Sequence, residues 1–347
     1  MKTPWELLKE SKTKIKTTWR IAFVSALVLG LLIHLPVMLS DIPNHDGLSS
    51  MYFDQNMITS GRWFLTVACG FSSYFTIPWV IGLIGLIWLA LTAAVLTEVL
   101  ELTDPVTITV VSGLLVSFPA LASTFAYVFT MDGYMLALFL AVLAVLFTAK
   151  YPRGYLAGAV CLAFSMGIYQ AYLPFTILLC VYKILLYFME EKGWKEKAKY
   201  VCHYLGMGIA GGVLYYVILQ ILLKLQGKVL DTYQGINSME QMGSGMGILA
   251  TIKGMYVDFL AFTVHGNVLV NNIFSLAACI ILVATVVFLV IRSMIWRKWW
   301  KNPAFFVIMI LLGISMPLLT NVILLISPNL TYHLLMRYQW VLYLILM

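Results

Sequence analysis

The sequence predicts an all-α fold, a polytopic transmembrane bundle of about ten spanning helices with its N-terminus on the cytoplasmic side. Three observations carry that expectation. Of 347 residues, 62% are hydrophobic and only 11% are charged, where a soluble domain carries about 25% charged residues. Apolar runs near the ~20 residues that a spanning helix needs recur along the chain. The Lys and Arg residues cluster on alternate sides of those runs, as the positive-inside rule requires.

Taken in order, spans are expected near Ile21–Leu39, Ile77–Thr97, Pro105–Ala126 and Tyr134–Ala149. The first run is too long for the apolar core of a signal peptide, and no A-x-A cleavage site follows it. Within it, His34 reads as a satisfied polar residue and Pro36 as a kink. Tyr155–Ile168 and Tyr172–Met189 form a helical hairpin that pivots at Tyr169-Gln170. His203–Leu223, Asn271–Ile291 and Pro303–Ile326 come next, and a last apolar run starts at Leu334. Leu334–Met347 is too short to cross and has no polar stop, so residues 1–347 are expected to be a single membrane domain truncated at its C-terminus.

Orientation follows from charge. With the N-terminus inside and the sides alternating, sixteen of the 22 Lys and Arg residues fall on the cytoplasmic side. Five fall outside (Arg62, Lys224, Lys228, Lys253 and Arg337), and Lys183 sits within a span near its cytoplasmic end. Seven of the 15 acids lie outside: Asp41, Asp46, Asp54, Asp132, Asp231, Glu240 and Asp258. The basic inner face needs only topology and contact with anionic membrane lipid to explain it. No basic surface with interleaved aromatics points to nucleic acid. The five cysteines form no CxxC pair and read as small buried hydrophobes, with no disulfide or metal implied.

Two outer segments exceed what a turn requires, residues 40–64 and residues 224–270, and long ordered loops tend to carry function. In the first, Asp41, His45, Asp46, Asp54 and Arg62 fall close together, with Pro43 and Gly47 bracketing Asn44-His45-Asp46 in a turn. Arg62-Trp63 then stands at headgroup level. A carboxylate beside an arginine at this depth suits one reaction class: the acid takes a proton from a hydroxyl nucleophile while the arginine holds the phosphate of a lipid-linked leaving group. The competing reading is that a polar loop carries acids simply to stay solvated. Asp132, opening the fourth span ahead of Tyr134, reads either as an N-cap or as a second acid facing Asp46. Tyr169 and Gln170 offer a flat apolar face and neutral hydrogen bonds for a sugar ring, or else an aromatic belt at a hairpin turn. Arg337 either contacts a lipid phosphate or snorkels as an anchor. In the second long loop, the mostly apolar Ile248–Val264 is expected to lie in the interface as a lid. No Walker A, GxGxxG or HExxH pattern is present.

Asn44-His45-Asp46, Gly61-Arg62-Trp63, Asp132-x-Tyr134 and Ile168-Tyr169-Gln170-Ala171-Tyr172, in that order and all on the outer face, resemble the GtrII-type bacterial membrane glucosyltransferases. The resemblance implies a GT-C-like architecture in the bacterial cytoplasmic membrane. It implies transfer of glucose from a polyprenyl-phosphate donor to a cell-surface glycan acceptor on the outer face. By analogy the acids are Asp46 and Asp132. The substrate-binding set is His45, Arg62, Trp63, Tyr134, Tyr169, Gln170 and Arg337, with no metal and no cofactor. The alternatives are a transporter or flippase of a lipid-linked sugar, which would place ionisable groups near mid-membrane in inverted repeats, and a non-catalytic scaffold.

Overall fold

The computed structural model describes residues 3, 6, 15–40, 58–69, 77–230, 245–265, 272–327 and 330–346. His45 and Asp46 lie outside the described residues, as do Asp41, Asp54, Asp231 and Glu240. The described chain is helical: α1 (Thr17–Leu39), α2 (Leu65–Ala68), α3 (Pro78–Val99), α4 (Pro105–Ser117), α5 (Pro119–Phe125), α6 (Met131–Lys150) and α7 (Gly154–Ile168). It continues as α8 (Leu173–Met189), α9 (Trp194–Gln226), α10 (Gly245–His265), α11 (Ile273–Trp296), α12 (Pro303–Thr320), α13 (Ile323–Ile326) and α14 (Leu342–Ile345). Eight of these helices are long and apolar enough to cross a membrane, or nine if the bent pair α4–α5 is one span.

Charge sorts the ends of the bundle. Lys16, Lys150 and Trp19 converge on Glu98, with the lysine ammonium groups 2.7 and 2.8 Å from its carboxylate. Lys183 reaches Glu101 at 2.8 Å nearby in sequence to Glu98. This lysine end gathers the start of α1, the end of α3 and the end of α6, as helices that cross in alternate directions require. The far end holds the start of α6, the end of α7 and the start of α8.

The third span is broken, and the sequence explains how the break is tolerated. Pro119 lacks an N–H, so Leu115 loses its helical partner, and α4 and α5 bend by 49°. In lipid an orphaned carbonyl costs several kcal/mol. The Tyr338 hydroxyl donates to the Leu115 carbonyl. His34 Nε2 bonds the adjacent Val116 carbonyl at 2.8 Å, with its ring stacked on Phe125 at 4.0 Å. The expected satisfied histidine in the first span is therefore present, and it serves the kink in a neighbouring helix.

Two stretches stand apart from the regular spanning helices. Residues Leu334–Val341 wind as a 3-10 helix, broken at Arg337 (φ −104°, ψ 22°), before the one-turn α14. The expected apolar stretch Ile248–Val264 forms most of α10, which length and composition would let cross the membrane. Connectivity argues against a single crossing. α9 runs from the lysine end to the far end, and α11 ends at the lysine end, where Arg297 meets Met189 of α8. A crossing would strand His265 at the wrong end, and the eight steps to Ile273 reach about 29 Å only at full stretch. The mid-helix Met255 carbonyl instead accepts from Asn321, at the far end of α12. α10 therefore sits at the far end of the bundle.

Candidate active site

The far end carries most of the predicted site residues that the structure describes. Gly61 has φ +77°, a left-handed conformation that glycine adopts without a Cβ clash. That turn carries Ser60, Gly61 and Arg62 onto the end of the bundle. Arg62 Nε donates to Ser60 Oγ at 2.9 Å, and Nη1 donates to the Tyr134 hydroxyl at 3.4 Å. The Tyr134 ring stacks on Tyr169 at 4.3 Å, with 10° between planes. Tyr169 in turn meets Tyr172 edge-on at 5.7 Å. Gln170 Nε2 donates to the Tyr215 hydroxyl at 2.9 Å and to the Ser60 carbonyl at 3.4 Å. Tyr215 passes the chain on to the Gly61 carbonyl at 2.9 Å. One network thus ties the turn before α2, the start of α6, the α7–α8 hairpin and α9.

Trp63 turns into the bundle. It is buried inside the bundle against Phe164 at 5.3 Å, with Leu219 and Leu223 beside it. Gly167 makes this packing feasible: a Cβ there would lie 2.6 Å from the indole ring, while the Gly167 carbonyl accepts from Phe64 N at 2.7 Å. The indole Nε1 of Trp63 has no hydrogen-bond partner among the described residues.

Asp132 is buried, in the first turn of α6 rather than at its cap, which is Thr130. Its Oδ1 accepts from Gly133 N at 2.9 Å. The Cys69 thiol lies against it and also faces the Thr130 carbonyl at 3.7 Å. Burial, with the Asp132 charge adding to it, pushes the Cys69 thiol well above its usual range, so it stays protonated beside the carboxylate. Tyr134, two residues on, faces both Arg62 and Cys69. Cys69 therefore lies between Asp132 and Tyr134, and Tyr134 in turn meets Arg62.

Arg337 stands apart from this network. It is 3% exposed and forks onto Asp258 of α10, with both Nη–Oδ distances 2.7 Å. It also bonds the Tyr332 carbonyl and lies over the Tyr332 ring at 3.9 Å. Asp258 was not among the site residues read from the sequence. Its signal was an acid inside an otherwise apolar stretch, where an ionisable group implies a partner. Ser60, Cys69 and Tyr215 were also missed, because hydroxyl and thiol contacts across helices leave no local pattern. Among the described residues no three His, Cys, Asp or Glu side chains gather as a metal set.

No curated protein and no solved structure matches the chain. The family model described as glucosyl transferase GtrII matches residues 35–347, which takes in every described helix except the larger part of α1. The chain belongs to the GtrII glucosyltransferase family.

Proposed function

We propose that the protein transfers glucose from a polyprenyl-phosphate donor to a glycan hydroxyl at the far end of the bundle, which we assign to the outer face of a bacterial cytoplasmic membrane. One observation carries the reading. Arg62 is half-buried, and its hydrogen bonds among the described residues go to neutral hydroxyls, Ser60 and Tyr134. A guanidinium so held keeps its charge for an incoming anion, and phosphate matches its planar fork.

The chemistry balances on the candidate residues. The bond between glucosyl C1 and the phosphate oxygen breaks, and its electron pair leaves on the phosphate beside Arg62. The bond between C1 and the acceptor oxygen forms. The hydroxyl proton goes to a carboxylate, Asp46 or Asp132. Tyr169 and Gln170 supply an aromatic face and an amide for the sugar. The prenyl chain stays in the bilayer, so no nucleotide site is called for.

The test is glucose transfer from polyprenyl-phosphate glucose in membranes, comparing wild type with Asp46→Asn, Asp132→Asn and Arg62→Ala at matched protein levels. Loss with at least one of the Asn variants, together with a raised KM for donor in Arg62→Ala, supports the reading. Full activity of both Asn variants would remove the proposed base. No transfer by the wild type from this donor would remove the donor assignment.

A further inference from the structure

A second polar cluster lies beside the Arg337–Asp258 pair, with open hydrogen-bonding capacity in its interior. Asn321 and Gln339 are both 0% exposed. The orientation of each carboxamide is fixed by acceptors on its nitrogen side. Asn321 Nδ2 donates to the Met255 carbonyl at 2.9 Å and to Asp258 at 3.2 Å. Gln339 Nε2 donates to the Thr320 carbonyl at 2.9 Å and to the Tyr332 hydroxyl at 2.7 Å. Turning either amide over would set oxygen against carbonyl oxygen. Asn321 Oδ1 and Gln339 Oε1 are therefore acceptors by necessity, and neither has a donor among the described residues. Gln339 thus holds the carbonyl of the residue before Asn321. Trp340, the residue after Gln339, carries a buried Nε1, a donor likewise unpartnered among the described residues.

Leaving a buried polar atom unpaired is costly. Two buried acceptors and, on the residue after Gln339, a buried donor whose ring packs on Phe259 and Phe262 are the group types that a sugar ring pairs with. Its hydroxyls donate and accept, and its C–H face packs on aromatic carbon. The arginine is already neutralised by Asp258, so the cluster offers no net charge for a phosphate. The wall over it is α10, held by the Asp258–Arg337 fork, the Asn321–Met255 bond and the Tyr256 hydroxyl on the Ile314 carbonyl at 2.6 Å. α10 otherwise packs thinly, with Met255 and Phe262 as its buried apolar residues among the described side chains, and a thinly packed element opens most readily.

We infer that Asn321, Gln339 and Trp340 form a saccharide-binding site reached from beneath α10, separate from the Arg62 network, in which ring hydroxyls donate to the two carboxamide oxygens. The inference deepens the transfer reading, from which it takes only its ligand class. Both the donor glucosyl group and a sugar of the acceptor glycan have the required chemistry.

The experiment is a double-mutant cycle between protein and sugar. The full chain, purified in detergent, is titrated with methyl α-D-glucopyranoside and its 2-, 3-, 4- and 6-deoxy analogues by saturation-transfer NMR. In the wild type, loss of at least one hydroxyl weakens binding about tenfold or more, because it leaves a carboxamide oxygen unpaired. In Gln339→Met the same deoxy sugar loses less than about twofold, because the acceptor it would have bonded is gone. Asn321→Leu gives a second, independent cycle if Gln339→Met does not fold. Equal deoxy penalties in wild type and variants, or no penalty in the wild type, would overturn the site and leave the two oxygens to structural water. KM in Gln339→Met then separates the sources: a rise for the lipid donor marks the glucosyl group, and a rise for the acceptor marks the glycan. Sugar binding with the predicted cycle, but no transfer from the lipid donor, would sink the donor assignment and keep this site.

Discussion

Arg62 and Arg337 lie toward the same end of the bundle, yet their surroundings are opposite. Arg62 is half-buried and held by two hydroxyls, Ser60 and Tyr134. Arg337 is buried and forked onto a carboxylate, with a backbone carbonyl and an aromatic face completing its shell. Hydroxyls orient a guanidinium without cancelling its charge; a carboxylate cancels it. The pair at Arg337 thus fastens α10 to the 3-10 segment, while Arg62 keeps its attraction for an anion. Two arginines that read alike in the sequence, each beside aromatics on the outer side, take different work from the oxygen atoms they meet.

The sharpest way to break this comparison is to remove each arginine and watch abundance and activity separately. Arg337→Ala leaves Asp258 without its cation in a mostly buried position, and breaking such a pair costs about 3–5 kcal/mol. The expected outcome is loss of folded protein, read by fluorescence-detected size exclusion and by thermal melting in detergent. Among the described residues, Arg62→Ala takes one hydrogen bond each from the buried Ser60 and Tyr134 hydroxyls and strips no carboxylate of a paired cation. Its folded yield is expected to match wild type while transfer falls by about 10²–10³, the usual size for removing one charge-stabilising donor. If Arg337→Ala folds well and loses only activity, Arg337 is a ligand-holding residue, and the assignment of roles is reversed.

How much of this was legible in the sequence depended on range. The spans could be read because a bilayer forces composition: polar backbone must be satisfied within each helix, and charge is pushed to alternating ends. The meeting of Lys16, Lys150 and Glu98 follows from that alternation alone. The Arg62, Tyr134, Tyr169 and Gln170 group was legible as short motifs because each sits at the same end of a helix that begins or ends there. Asp258, Asn321 and Gln339 were not legible, since partners 63 and 79 residues apart leave no local periodicity. The break at Pro119 was read as one continuous span. A proline marks the orphaned carbonyl, but nothing in the sequence says that Tyr338, 223 residues after Leu115, will satisfy it. The apolar run after Leu334 has the composition of a span, yet winds as 3-10 helix because its Arg337, Tyr338 and Gln339 all turn inward to polar partners.

A smaller effect tests how rigid the Arg62 network is. Gly167→Ala places a methyl group 2.6 Å from the Trp63 ring, whose position is fixed by Phe164, Leu219 and Leu223. The ring cannot swing aside as a flexible chain would, so overpacking of about 1–3 kcal/mol is expected. A lower melting temperature with transfer reduced in proportion to folded protein supports a packing role. A fall in transfer at an unchanged melting temperature would show instead that the glycine leaves room for substrate.

The smallest change probes the unpartnered indole. Trp63→Phe keeps an aromatic ring between Gly167 and Phe164 and deletes the buried Nε1 that has no described partner. Two effects oppose one another. Removing an unsatisfied buried donor relieves a penalty of about 1–3 kcal/mol, while the smaller ring leaves a void whose cost is of the same order. The net change in stability is therefore expected within about 1 kcal/mol. Activity separates the two roles that stability cannot. If Nε1 donates to bound substrate, KM rises several-fold at an unchanged melting temperature. If the indole is only packing, KM and melting temperature stay together near wild type, and the anion-holding half of the comparison rests on Arg62 alone.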